Sequence, residues 1–228
     1  MKLTAEHITK EYLRENRADG SNRFFAVQDT TLTLESGTTT VLMGRSGSGK
    51  STLLNMLAGL SVPSSGTVKL DGTDLYAMPD QALSRLRNEK IGVIPQGQTA
   101  LHSLTVKENI LLPYLLYGDQ PDSDFAEQLM QTLDIAALAD AKPAELSGGE
   151  MRRTAIARAL IRKPMLVLAD EPTADLDDEN TAAVFRLLLE TARQGAAVFI
   201  VTHENDAAQY ADRMLKMSGG VITDIAAQ

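Results

Sequence analysis

The 228-residue chain contains no cysteine. That absence removes disulfides, a thiol nucleophile and any cysteine-based metal site, and it fits a reducing compartment. Positive charge is also scarce: 22 Lys and Arg stand against 30 Asp and Glu, for a formal net charge of −8. Neutralising nucleic-acid phosphates needs clustered Lys and Arg, so no nucleic-acid partner is expected. No run approaches the roughly 20 apolar residues that span a bilayer. The opening Met1-Lys2-Leu3-Thr4-Ala5-Glu6 also lacks the apolar stretch of a signal peptide. The expectation is a soluble protein whose membrane role, if it has one, comes through a partner. Repeats and low-complexity segments are missing too. A hydrophobic content of 43% can build an ordinary core. The length suits a single α/β domain over residues 1–228 with an inserted subdomain.

What is present is led by the glycine-rich run Gly44-Arg45-Ser46-Gly47-Ser48-Gly49-Lys50-Ser51. It matches the phosphate-binding pattern G-x-x-x-x-G-K-[ST] at every fixed position. The β-branched Thr38-Thr39-Thr40-Val41-Leu42-Met43 leads in, and the helical stretch Ser51-Thr52-Leu53-Leu54-Asn55-Met56-Leu57-Ala58 leads out. Glycines permit positive φ, so backbone N–H groups can close around phosphate oxygens that the helix N-terminus also attracts. Gly44 to Thr52 are therefore expected to bind nucleotide. Lys50 would reach the β- and γ-phosphates and the Ser51 hydroxyl would ligate magnesium.

Along the chain, Lys2 to Ile8, Thr31 to Glu35 and Gly66 to Gly72 alternate as half-buried strands, and Glu15 to Asn22 is a polar loop or hairpin tip. Lys90 to Pro95 is a strand. Residues 97–163 turn helical, with apolar residues at three- and four-residue intervals. The α/β rhythm returns with strand Met165 to Ala169, a helix from Asp178 to Gln194, strand Ala196 to Val201 and a final hairpin on Gly219-Gly220.

Two further motifs carry chemistry. Asp170 and Glu171 end a buried strand, where adjacent acids are costly unless they hold a cation or act on a substrate. Asp170 would anchor magnesium, and Glu171 would polarise an attacking water. Leu146-Ser147-Gly148-Gly149-Glu150 opens a helix over Met151 to Arg162, with Ser147 as a good N-cap and exposed backbone N–H groups.

These residues together resemble the nucleotide-binding domain of ATP-binding-cassette (ABC) proteins over nearly the whole chain. Gly44 to Ser51 is similar to the Walker A loop, Gln96 to the Q-loop glutamine and Leu146 to Glu150 to the LSGGQ signature. Leu166 to Asp170 resembles the Walker B strand, with Glu171 as the catalytic base. Ala174-Asp175-Leu176-Asp177 resembles the D-loop, His203 the switch histidine and Tyr12 the adenine-stacking aromatic, with Phe24 or Phe25 as alternatives. The resemblance implies a P-loop NTPase core with an antiparallel β subdomain and an inserted α-helical subdomain. It implies ATP and Mg2+, the latter held by Ser51, Gln96 and Asp170. It also implies a head-to-tail homodimer, in which Ser147, Gly148, Gly149 and Glu150 of one copy cap the γ-phosphate bound by the other. His203 would contact that phosphate and orient Glu171.

Some positions depart from the family pattern: Glu150 stands where glutamine is usual, Ala174-Asp175 where small residues are usual, and Pro95 where an aromatic is common. None removes a catalytic group. Looser similarity, with the insertion between Tyr12 and Phe25 and no regulatory domain at the C-terminus, resembles the lipoprotein-release, macrolide-export and cell-division branch. That branch implies a membrane permease partner, a cytoplasmic location on the inner face of the membrane, and Leu111 to Gly118 as the receptor for a permease coupling helix, with most of its apolar residues in the core, an exposed subset as the docking groove, and Tyr114 and Tyr117 as the positions at which to test it. The competing expectation, a soluble ABC ATPase in DNA repair or translation, lacks the coiled coil or paired cassettes of that class.

Overall fold

The computed structural model describes residues 1–13, 23–97 and 99–225. Two sheets organise them. In the first, β1 (Lys2–Leu13) pairs antiparallel with β2 (Arg23–Glu35) and with β4 (Ser65–Leu70), and β4 turns back into the short β5 (Thr73–Asp74). The second has six strands in the order β10-β9-β3-β8-β7-β6. Its members are β3 (Thr39–Met43), β6 (Ile91–Ile94), β7 (Leu166–Asp170), β8 (Ala197–Thr202), β9 (Arg213–Ser218) and β10 (Val221–Ile225). All run parallel except β10, which returns antiparallel from β9. Gly219 and Gly220 turn that corner with φ of 56° and 83°, the doubly positive pair a two-residue hairpin needs.

Strands β7 and β8 are buried along their whole length, as unbroken apolar runs in a parallel sheet must be. Alternation then sends successive residues to different cores. Leu166, Leu168, Phe199 and Val201 face the side where helix α1 (Lys50–Leu57) packs with Leu3, Ile8, Leu34 and Val68 of the antiparallel sheet. Val167, Ala169, Val198 and Ile200 face the other side. There they meet a helical layer made of α3 (Val106–Leu115), α4 (Ser123–Thr132), α5 (Gly148–Leu160) and α6 (Asp178–Arg193). The sheet is thus a wall shared by two cores.

Helix starts follow local chemistry. Thr105 and Glu108 form a capping box at α3, Asp122 caps α4, and Asp177 caps α6 through Asn180 N–H. Asn109, fully buried in α3, accepts from Leu101 N–H and donates to the carbonyls of Leu101, Leu104 and Thr105, which fastens the preceding loop.

Several boundaries differ from the sequence reading. The first strand continues past Ile8 to Leu13, and the second begins at Arg23 instead of Thr31. The helix expected over Met151 to Arg162 begins at Gly148, because Ser147 is the N-cap and the helical turn follows it at once. Helix α2 (Asp80–Lys90) was not anticipated, since Leu83 is its only buried residue and gives almost no apolar periodicity. The stretch Glu15 to Asn22 lies outside the described residues. Among the described residues, no helix is long and apolar enough to cross a membrane.

Gly92 on β6 shows how tightly the helical layer meets the sheet. A Cβ there would collide with the Ala159 carbonyl oxygen and stand 2.9 Å from the Pro164 ring. Gly92→Ala is therefore expected to cost about 2 kcal/mol, as overpacking against backbone does. Thermal unfolding should register this as a drop in Tm of several degrees. An unchanged Tm would show that the α5 end yields freely.

Candidate functional site

The phosphate loop leaves β3 and enters α1 through Gly49, whose φ of 108° is closed to L side chains. Space excludes a side chain there as well, since a Cβ would strike the Ala26 carbonyl oxygen and crowd the Met217 methyl. Two independent constraints therefore require glycine at this position. The first turn of α1 itself holds no acidic residue, so its positive dipole end is not neutralised from within the helix. Lys50 is buried, and its ammonium donates to the carbonyls of Gly44 at 2.7 Å and Arg45 at 3.3 Å. Those bonds fold the lysine over its own loop.

The acid pair sits at the end of β7. Asp170 is buried, and its Oδ1 has no hydrogen-bond partner. Burial raises its pKa above the ordinary aspartate value, and Glu171 adds to this, while Ser51, Lys50 and Arg152 pull the other way. A buried carboxylate oxygen left unpaired beside a serine hydroxyl suits a small, hard cation. Among the described residues, no cluster of three or more His, Cys, Asp or Glu could hold a metal by itself. A cation here would draw on the oxygens of Ser51, Gln96 and Asp170 together with those of a bound phosphate.

Glu171 has a left-handed backbone, with φ of 47°. Its N–H donates to the Val201 carbonyl at 2.9 Å, which ties the strained residue to β8. Oε2 accepts from the Thr202 hydroxyl at 2.9 Å and from His203 N–H at 3.3 Å. Oε1 lies 2.9 Å from His203 Nδ1 and 3.9 Å from Lys50 Nζ. The hydrogen bond to Glu171, followed by that carboxylate's charge, raises the His203 pKa.

One cleft of about 870 Å³ gathers Arg45 to Thr52, Gln96, Asp170, Glu171 and His203. Tyr12, Phe24 and Phe25 line its far end, where Tyr12 stacks on Phe24 with ring centroids 5.7 Å apart. Gly44 belongs to the loop's other face and enters through its carbonyl on Lys50. The Gly219-Gly220 turn also lines the cleft.

The signature residues are elsewhere. Ser147, Gly148 and Gly149 line a separate hollow of about 420 Å³ with Arg153, Asp175 and Asp177. Gly149 packs so close to the D-loop that a Cβ would stand 3.2 Å from Leu176 and 3.3 Å from the Asp175 carbonyl oxygen. Glu150 reaches back to Ser147 as the second half of a capping box.

Sequence reasoning missed two contributors to the site. Thr202 is fully buried and orients Glu171; its signal was a polar residue closing an apolar strand. Arg152 donates to the Pro95 carbonyl at 2.7 Å, just before Gln96, across a separation of 57 residues that no local pattern reveals.

Comparison with known proteins agrees with this geometry. The family described as ABC transporter matches residues 27–174. The chain is 40% identical to the macrolide export ATP-binding/permease protein MacB of Chlorobaculum tepidum, over 96% of this chain but only 33% of that protein. It spans about a third of that relative's length. It is 38% identical to the lipoprotein-releasing system ATP-binding protein LolD of Xanthomonas axonopodis pv. citri, over 96% of this chain and 91% of that one. Among solved structures, the dimeric post-hydrolysis ATP-binding cassette MJ0796 bound to ADP and Pi superposes with a TM-score of 0.91 at 29% identity, covering 99% of both chains. This chain therefore belongs to the ABC transporter family, as one of its ATP-hydrolysing cassettes.

Proposed function

We propose that residues 1–228 form one cassette, with 97–163 as its helical subdomain, and that it works as a head-to-tail dimer driving a separate membrane permease. The observation that carries this reading is the separation of two anion-binding devices. The phosphate loop opens into one cleft and the Ser147-Gly148-Gly149 helix start into another. A single copy has no use for the second device, whereas two copies facing head to tail would each complete the other's site. The dimeric MJ0796 cassette and the LolD and MacB relatives support it. The permease would hold the cassette at the cytoplasmic face of the membrane.

In this reading the reaction is ATP plus water giving ADP and phosphate. Lys50 and the loop N–H groups hold the β- and γ-phosphates, and Tyr12 with Phe24 offers a stacked aromatic face to adenine. The Glu171 carboxylate takes the proton of the attacking water. Thr202 and His203 fix its direction, with Oε2 held by the Thr202 hydroxyl and Oε1 facing Lys50 and His203. A bound Mg2+ supplies charge neutralisation at the phosphate oxygens, and Ser51, Gln96 and Asp170 are the residues to hold it. His203 turns Nδ1 to Glu171, which leaves Nε2 as the ring nitrogen that would contact the γ-phosphate.

Within Leu111 to Gly118, the proposed docking segment, the side chains divide. Tyr114 donates its hydroxyl to the Ile161 carbonyl and packs under Arg162, and Tyr117 is bonded to Ser84. Both half-buried tyrosines are thus engaged within the chain, which leaves the neighbouring leucines as the open apolar surface of the segment. Leu115 and Leu116 stand exposed at the end of α3, beside a groove of about 230 Å³ between α3, β6 and α5. That groove is where the coupling helix would sit.

Glu171→Gln is expected to keep ATP binding, slow hydrolysis by about 10²–10⁴-fold and accumulate an ATP-bound dimer in size-exclusion chromatography. Adding Ser147→Arg should abolish that dimer. Normal turnover in the first variant would remove Glu171 from the base role, and an intact dimer in the second would end the composite-site reading. A histidine NMR titration should place His203 above the ordinary histidine value and return it there in Glu171→Gln. The sign follows from the raised pKa: the His203–Glu171 ion pair is fully present below the ordinary value and is lost as pH rises through the raised one. Mild-detergent purification of the tagged chain from native membranes should bring down a polytopic permease; recovery of soluble partners alone would overturn the permease assignment.

A further inference from the structure

Glu150 stands where the signature usually has glutamine, and its contacts give that carboxylate a task beyond capping. Oε2 accepts from Ser147 N–H at 2.7 Å and from the Ser147 hydroxyl at 2.8 Å, while Glu150 N–H donates to Ser147 Oγ at 3.3 Å. A serine hydroxyl has one proton, and a carboxylate can only accept. The Ser147 proton is therefore committed to Glu150. Bonds to an ionised acceptor are about twice as strong as neutral ones, so a glutamine at this position would hold the same proton far less firmly. The Ser147 bonds also keep the Glu150 carboxyl below the usual glutamate range, which preserves its charge.

The surrounding charges add to the effect. Asp175 and Asp177 line the same hollow. The cation beside them, Arg153, has its guanidinium drawn onto the carbonyls of Leu133 and Asp134 and the side chain of Asn180. In the head-to-tail reading, the face that meets a γ-phosphate carries Asp175 and Asp177 beside Ser147 and Glu150 against the single Arg153 guanidinium, and its hydroxyl points its proton inward.

We propose that Glu150 is a positioning residue that restrains dimer closure: it withholds the Ser147 proton and repels the incoming γ-phosphate, so the closed state forms weakly and reopens readily. Closure requires Ser147 to exchange its carboxylate acceptor for a phosphate oxygen. Loss of the γ-phosphate returns the hydroxyl to Glu150 and favours separation. This inference rests on the head-to-tail reading.

The test uses the full chain carrying Glu171→Gln, with ATP and Mg2+, in analytical ultracentrifugation. Adding Glu150→Gln, which keeps a capping-box acceptor, should lower the dimer dissociation constant about tenfold at low salt. The gain should shrink as ionic strength rises, because the lost repulsion is screened. Glu150→Ala should also tighten the dimer while lowering Tm, since it loses the cap as well as the charge. A dissociation constant unmoved by Glu150→Gln, or a gain indifferent to salt, would overturn the proposal. A weaker dimer in Glu150→Ala with no change in Glu150→Gln would reduce Glu150 to a helix cap. If the Glu171→Gln parent forms no ATP-dependent dimer, the head-to-tail reading falls and this inference falls with it. A parent that dimerises normally isolates the failure to Glu150.

Discussion

Helix α1 is held from two directions, and the nucleotide cleft depends on that hold. Leu53, Leu54, Met56 and Leu57 are all buried, between the antiparallel sheet on one side and Leu168, Phe199 and Val201 on the other. Each such side chain contributes about 1.5–3 kcal/mol relative to exposure. That sum far exceeds the roughly 1–3 kcal/mol of one strained backbone residue. The fold can therefore hold a left-handed Gly49 and a left-handed Glu171 on either side of one small volume. The helix axis cannot drift, so its N-terminal N–H groups stay aimed into the cleft.

The same burial makes the acids costly, and the surrounding groups answer that cost one by one. Glu171 has Thr202, His203 and Lys50 within reach, and Lys50 is itself satisfied by two loop carbonyls. Asp170 differs: one of its oxygens lacks a partner, and burial lifts its pKa. The contrast sorts the two carboxylates by task. The fully bonded one is oriented, as a base must be, and the under-bonded one is ready for a cation.

Much of this was legible in the sequence because it is written in short stretches of chain. The phosphate loop, the Ser147 cap and the Gly219-Gly220 turn depend on neighbours within a few residues, where glycine and serine have specific backbone uses. The parallel strands declared themselves through continuous apolar runs. What stayed hidden depends on contacts between distant residues. Arg152 meets Pro95, Thr202 meets Glu171, and the two tyrosines of the expected docking segment turn out to serve internal bonds. Helix α2 escaped because a nearly solvent-facing helix lacks the apolar stripe that announces one. That the signature and the phosphate loop belong to different clefts of one copy was implied by resemblance alone, since no residue pattern encodes what a chain does not touch.

Helix α5 has distant parts of the site tied to it. Its first turn carries Ser147 and Glu150, and further along Arg152 holds the Pro95 carbonyl while Arg158 grips Thr99 through both its carbonyl and its hydroxyl. Gln96 lies between those two anchor points. Pro95 and Thr99 are thus both fastened to α5. If α5 tilted relative to the sheet, Pro95 and Thr99 would be pulled with it by Arg152 and Arg158, while Asp170 would stay with β7. Such a tilt at one edge of the molecule would change the distance from Gln96 to Asp170 inside the cleft.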